Sequence, residues 1–102
     1  MTIFVYITDT CREQAKIHHI NHALDKLAAD IEREQAFWRL DSFPYPFWVK
    51  KRLGNRHSRL ICRLETHQIQ GQAQDVLVCL NIFQRGDSQY DKIYWQMVEK
   101  GE

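Results

Sequence analysis

The sequence predicts a small α+β domain. It should hold an antiparallel sheet of about four strands, one long helix or helical hairpin on one face, and a short C-terminal helix. Three observations carry this. An apolar alternation of period two opens the chain and recurs three times between residues 47 and 84. An apolar stripe of helical period lies before it, in a stretch free of Gly and Pro until Pro44. Turn-forming residues, Gly54-Asn55 and Gly86-Asp87-Ser88, punctuate the later strands. At 102 residues the chain fits one domain, 1–102, with no repeat or linker.

The elements follow in order. Thr2–Thr8 is β-branched and aromatic, with Ile3, Val5 and Ile7 on one face and Phe4 and Tyr6 on the other, and reads as a strand at a sheet edge. Thr10-Cys11-Arg12-Glu13 fits a capping box, in which the threonine oxygen accepts from an early helical N–H and the glutamate reaches back. Ile17, Ile20, Leu24, Leu27 and Ile31 then stack on one side of a helix from about Thr10 to Gln35, with Glu32-Arg33-Glu34 as the place where it would break. Phe37–Trp48 holds six of the 12 aromatics, and Pro44 and Pro46 force extended geometry, so it reads as a loop folded back on the core. Phe47–Leu53, Ser58–Glu65 and Asp75–Gln84 read as strands. The polar run Thr66–Gln74 reads as the connection between the last two. Ser88-Gln89-Tyr90-Asp91 caps a final helix carrying Tyr90, Ile93, Tyr94, Met97 and Val98.

Composition narrows the function. Hydrophobic residues make up 44% and charged residues 26%, which excludes a charge-dominated disordered chain. The N-terminus lacks the basic start and small-residue cleavage site of a secretory signal, and no apolar run is long enough to span a bilayer. A cytoplasmic protein is therefore expected, with no membrane partner. Cys11, Cys62 and Cys79 form no CxxC pair, which disfavours a disulfide framework or a cysteine zinc site. His18 and His22, four apart, have no third ligand at metal spacing, and no Gly-rich phosphate loop occurs, so neither a metal nor a small-molecule cofactor is expected. Cys11, near a helix start, is the thiol whose pKa could be lowered.

Charge is unevenly placed. Between Ser42 and Leu64 stand Lys50, Lys51, Arg52, Arg56, Arg59 and Arg63 with no acid. The other 79 residues carry eight Lys or Arg against 13 acids. The net charge of +1 thus hides a basic segment on an acidic remainder. In a strand, residues two apart share a face, so Arg59, Ile61 and Arg63 point one way and Leu60, Cys62 and Leu64 the other. With a helix on the Leu60 side, the arginines face away from it. Arg85 ends the last strand and Tyr90 follows five residues later. Cations converging on one sheet face, with Arg85 and Tyr90 at its rim, suit a phosphate backbone, because guanidinium binds phosphate by paired hydrogen bonds.

The stretch Phe47–Cys62, with its basic strand, turn, Arg59 and apolar run, resembles the middle of RelE/ParE-superfamily toxins. Val76–Tyr90, ending Phe83-Gln84-Arg85-Gly86-Asp87-Ser88-Gln89-Tyr90, is similar to that family's last strand and arginine-to-tyrosine tail. The resemblance implies a microbial-RNase-like fold and metal-independent cleavage of mRNA at the ribosome, neutralised by a bound antitoxin in a bacterial toxin–antitoxin pair. ParE-type members poison gyrase instead. By position, Arg59 matches the arginine at the scissile phosphate, Lys50 and Lys51 the lysines of the preceding strand, and Arg85 and Tyr90 the tail.

The implied chemistry is attack of a ribose 2′-OH on its own 3′-phosphate. Arg59 and Arg85 would stabilise charge, and Tyr90 would orient the hydroxyl or stack on a base. Lys51, Tyr90 and His57 are the candidates for proton transfer, with His57 the side chain type that titrates nearest neutrality. Lys50, Lys51, Arg52, Arg56 and Arg63 would hold the nucleic acid. Other readings stay open at this point: a noncatalytic module that binds nucleic acid or protein, such as an N-terminal domain of a helicase, or a ParE-like protein acting on a topoisomerase.

Overall fold

The computed structural model describes residues 2–42, 45–86 and 92. Strand β1 (Ile3–Ile7) leads into helices α1 (Asp9–Ile17) and α2 (Asn21–Glu34). A two-residue strand β2 (Asp41–Ser42) follows, then β3 (Phe47–Lys51), β4 (Ser58–Ile69) and β5 (Gln72–Gln84). The sheet order is β1-β5-β4-β3-β2, four full strands and one two-residue edge. The fold is therefore α+β, as expected, but the sheet is mixed. β1 runs parallel to β5, from Ile3 opposite Asp75 to Ile7 opposite Cys79, while the other neighbours are antiparallel. No hairpin links β1 to β5, so nothing forces them antiparallel.

Thr8 corrects the predicted helix cap. It is the N-cap of α1, its hydroxyl oxygen accepting from the Cys11 N–H at 3.1 Å, so the helix begins before Thr10. The Thr8 backbone N–H and hydroxyl also donate to the Cys79 carbonyl, at 3.2 and 2.9 Å, which pins the end of β1 to β5.

The single long helix is replaced by two, and the break lies at His18-His19-Ile20 instead of Glu32–Glu34. His19 takes φ 57°, the His19 N–H donates to the Lys16 carbonyl, and the Ile20 N–H donates to that of Ala15. Those two bonds make a Schellman cap with histidine in the left-handed position. The apolar stripe conceals the break because Ile20 resumes it on the far side. Ile20, Leu24, Leu27 and Ile31 are buried, whereas Ile17, in the last turn of α1, is 57% exposed.

The polar run 66–74 is a correction of another kind. It forms a ribbon of β4 and β5, closed by Gln70 and Gly71 at φ 52° and 79°. Two successive positive φ angles give the primed turn that matches strand twist. β3 pairs only with Arg59–Arg63 and β1 only with Asp75–Cys79, so the ribbon's tip has a neighbour on neither side. Backbone bonding, not an apolar face, holds it as a strand, and so the alternation rule misses it. In the aromatic segment, Phe37 packs 5.1 Å from Trp48 and Leu40 is buried, while Trp38 and Tyr45 stay exposed. The predicted final helix from Ser88 lies outside the described residues.

Two apolar clusters lie on opposite faces of the sheet. On one, Leu60, Cys62, Leu77, Cys79 and Ile82 pack under Cys11, Ala15, Leu24 and Ile31. On the other, Phe47, Val49, Ile61 and Phe83 are buried together. A bulge lets β5 serve both: Cys62 faces Cys79 but Ile61 faces Asn81, which makes Leu80 the extra residue. No helix among the described residues is long and apolar enough to cross a membrane.

Candidate nucleic-acid interface

Cross-strand register decides which cations share a face, because directly opposed residues point the same way. Lys51 stands opposite Arg59, which stands opposite Phe83, and Phe47 stands opposite Arg63. Lys51, Arg59 and Arg63 therefore join Phe47, Val49, Ile61 and Phe83 on the face away from the helices. Arg63 lies 5.4 Å above the Phe47 ring, so its guanidinium rests on the apolar cluster as a cation on a π face. Lys51 is exposed and Arg59 half-buried.

Lys50 is not part of this group. It stands opposite Leu60, on the helix-covered face. Alternation makes this unavoidable: Lys50 and Lys51 are neighbours in one strand, so only one can join Arg59. β2 pairs with Trp48 and Val49, and the Asp41 carboxylate accepts from the Lys51 N–H at 3.3 Å, so that at the end of β3 Lys50 is half-buried and Lys51 exposed.

The turn after β3 is tightly built. Arg52 takes φ 59° and Gly54 φ 72°. A Cβ on Gly54 would fall 2.8 Å from Ile20 Cγ2, so only glycine lets the turn press against the start of α2. The Asn55 side-chain oxygen accepts from the His57 and Ser58 N–H groups at 2.8 and 2.9 Å, closing the turn. The His57 carbonyl accepts from the Arg85 N–H at 2.6 Å. His57 and Arg85 are thereby held at the same end of the sheet as Lys51 and Arg59, both exposed. Arg56 Nε donates to His57 Nε2 at 3.4 Å. Of the predicted residues, the structure places Lys51, Arg59, His57 and Arg85 at one end of the sheet, while Arg63 shares the face of Lys51 and Arg59 but stands at the other end of the β3–β4 ladder, opposite Phe47. Arg56 lies in the adjoining turn, Lys50 and Arg52 lie elsewhere, and Tyr90 lies outside the described residues.

The cysteines are packing residues. All three are buried, with Cys62 Sγ and Cys79 Sγ 3.7 Å apart. Burial, and then the nearby Cys79 thiol, push Cys11 up to about 12, with Arg12 opposing. This reverses the lowered value expected at a helix start, because loss of water outweighs the helix dipole. The Cys79 contact and burial push Cys62 up as well. His18 and His22 belong to different helical segments, and no group of three metal-ligating side chains occurs among the described residues.

Sequence reasoning missed Gln35, which seals the β1 edge. In the left-handed position after α2, its side-chain oxygen accepts from the Ile3 N–H at 2.7 Å and its amide nitrogen donates to the Ile3 carbonyl at 3.0 Å. Glu32 accepts from the Val5 N–H at 3.0 Å. The edge of the sheet thus has side chains where another strand would bind. No local pattern announces this, since the partners are 32 residues apart. Compared with family models, curated proteins and solved structures, the chain matches none of them.

Proposed function

We propose that the chain is a RelE-like domain that grips RNA across the face carrying Lys51, Arg59 and Arg63, and cleaves it without a metal. The observation that carries the reading is the direct opposition of Lys51 and Arg59. Directly opposed residues have their Cβ atoms about 5 Å apart, so two long cationic side chains there can reach one phosphate together. Arg85, fixed through its backbone to His57, supplies a further cation at the same end.

In this reading the 2′-oxygen attacks phosphorus, the bond to the 5′-oxygen breaks, and a 2′,3′-cyclic phosphate remains. Arg59 and Arg85 stabilise the negative charge that builds on phosphorus-bound oxygens. His57 takes the 2′-proton, and Lys51 or Tyr90 returns one to the leaving 5′-oxygen. Substrate is mRNA at the ribosome, and an antitoxin covers the basic face until release.

The test is expression of the chain alone in a bacterium. Growth should stop, mRNA fragments should carry cyclic or 3′-phosphate ends, and Arg59→Ala or Arg85→Ala should each restore growth. Intact mRNA in arrested cells with DNA breaks would move the reading to a ParE-like poison. Harmless expression and uncut RNA with ribosomes present would sink the enzyme reading. A second reading, a noncatalytic binding module, draws on the placement of Lys50 and Lys51 on opposite faces, which serves binding and not a single reaction centre. Such a module binds RNA with affinity that falls steeply as salt rises, and Arg59→Ala weakens binding without altering any cleavage.

A further inference from the structure

The groove between α2 and the end of β3 has no role in the proposed reaction. It is a cavity of about 400 Å³, floored by Leu27, Leu53 and Ala23. Lys26 reaches it from α2, Lys50 from β3 and Arg52 from the turn, so its cations come from three separate elements. None of the three is ion-paired among the described residues. Its one carboxylate, Asp30, is already engaged by Arg33 at 2.9 Å and Arg39 at 3.7 Å. Trp38 stands in the wall and is 67% exposed, with the Arg39 guanidinium 4.4 Å from its ring centre.

An exposed aromatic ring and three cations without an ion-pair partner among the described residues thus line one groove, the two kinds of surface that a base and its phosphate require. We propose that this groove is a nucleoside-phosphate site, in which a base packs against Trp38 and the apolar floor while Lys26, Lys50 and Arg52 hold the phosphate. The cavity is of a size that takes one nucleotide. Arg39 is occupied by Glu34, at 2.7 Å, and by Asp30, so it braces the tryptophan and does not bind phosphate. The ligand comes from one of two sources with the same chemistry, a free nucleotide or one unit of a strand. In the second case the strand crosses the β3 edge from Lys51 on one face to Lys50 on the other.

The test uses the full chain, titrated with AMP, an adenine ribo-octamer and inorganic phosphate, and followed by amide shifts in NMR. AMP and the octamer should saturate. Trp38→Ala should weaken AMP about tenfold, and Trp38→Phe should restore most of that loss, as expected for stacking. Lys50→Gln should cost about tenfold, as a charge-assisted phosphate contact does. Lys16→Gln, on the exposed side of α1 and outside both sites, should leave AMP binding unchanged. An octamer no tighter than AMP identifies the free nucleotide as the ligand. An octamer that binds more tightly and is weakened by Lys51→Gln identifies a strand. Phosphate binding as tightly as AMP, saturation indifferent to Lys50 and Trp38, or no saturation by either nucleotide at millimolar concentration would overturn the site. None of these outcomes depends on RNA cleavage, so the site and the proposed reaction can fail separately.

Discussion

The two faces of the sheet use the same strands and the same alternation, yet they hold different things. Beneath the helices, Leu60, Cys62, Leu77 and Cys79 meet Cys11, Ala15 and Leu24, and Lys50, opposite Leu60, brings a charge to this face from the end of β3. On the other face, Val49 and Ile61 are as deeply buried, but Lys51, Arg59 and Arg63 stand in the same rows. Burial alone does not explain the second pattern. A row that alternated only apolar and neutral residues would pack as well and would avoid opposing Lys51 to Arg59. The helix face is fixed by what holds the molecule together. The cation rows on the other face are the part of the fold on which the proposed RNA contact rests.

The largest effect should come from the helix face. Leu60 is fully buried between sheet and helices, so Leu60→Ala should cost about 2–5 kcal/mol, read as a lower urea midpoint. Tyr6, on the other face and 57% exposed, is its counterpart: Tyr6→Ser should stay within about 0.5 kcal/mol. Equal losses at the two positions would erase the contrast between the faces.

The buried thiols sharpen the same contrast through pH. Cys11 has an ordinary value of 9.0 and is raised to about 12 in the fold. A raised value means that the folded thiol stays neutral while the unfolded one ionises. The contribution is thus complete below pH 9 and is lost as pH climbs toward 12. At pH about 10.5 the loss should be about 2 kcal/mol. Urea titrations of the native chain and Cys11→Ala across this range check it: the variant starts less stable but falls less steeply. Parallel slopes would mean that water reaches the thiol.

How legible all this was depends on the range of the interaction responsible. Ile3–Ile7, the cores of β3 and β4 and the facing of Arg59 away from the helices follow from period two, a local property. In β5, period two would set Phe83 with Leu77 and Cys79, whereas the bulge at Leu80 puts Ile82 there instead. The His19 break did not show, because a left-handed histidine leaves no mark when Ile20 restores the stripe one residue later. The ribbon 66–74 did not show, because polar strands are held by their backbone partners and not by burial. At the site, alternation separates Lys50 from Lys51 even on paper, but assigning Lys51 to the side of Arg59 requires the cross-strand register. Gln35 on Ile3 and Trp38 over the groove come from tertiary approach alone.

The sealed edge gives an intermediate effect. Gln35→Asn keeps a residue that tolerates the left-handed backbone but shortens the amide beyond reach of Ile3. The two hydrogen bonds to Ile3 and the one the amide donates to the Glu32 carbonyl should be lost, at a net cost of about 1–2 kcal/mol at this partly exposed edge. Hydrogen exchange at the Ile3 amide should accelerate, while exchange at Leu77 in the middle of β5 should change only by the global loss. A bared edge should also raise self-association at high protein concentration, visible in sedimentation.

The smallest stability effect should carry the most information about the open face. Lys51→Gln removes one of two opposed cations from an exposed strand end, so stability should hold or rise by up to about 0.5 kcal/mol. Affinity for an RNA oligonucleotide should nevertheless fall, and the slope of log affinity against log salt should flatten by about one, the signature of a lost phosphate contact. The same change on the helix side, Lys50→Gln, should alter AMP binding and leave the Lys51–Arg59 repulsion in place. A residue whose removal relaxes the fold and weakens the complex is one retained for the complex. If Lys51→Gln instead destabilised the chain by more than about 1 kcal/mol with the salt slope unmoved, Lys51 would be a packing residue whose stem covers Val49 and Ile61, and the cation row would need no ligand to explain it.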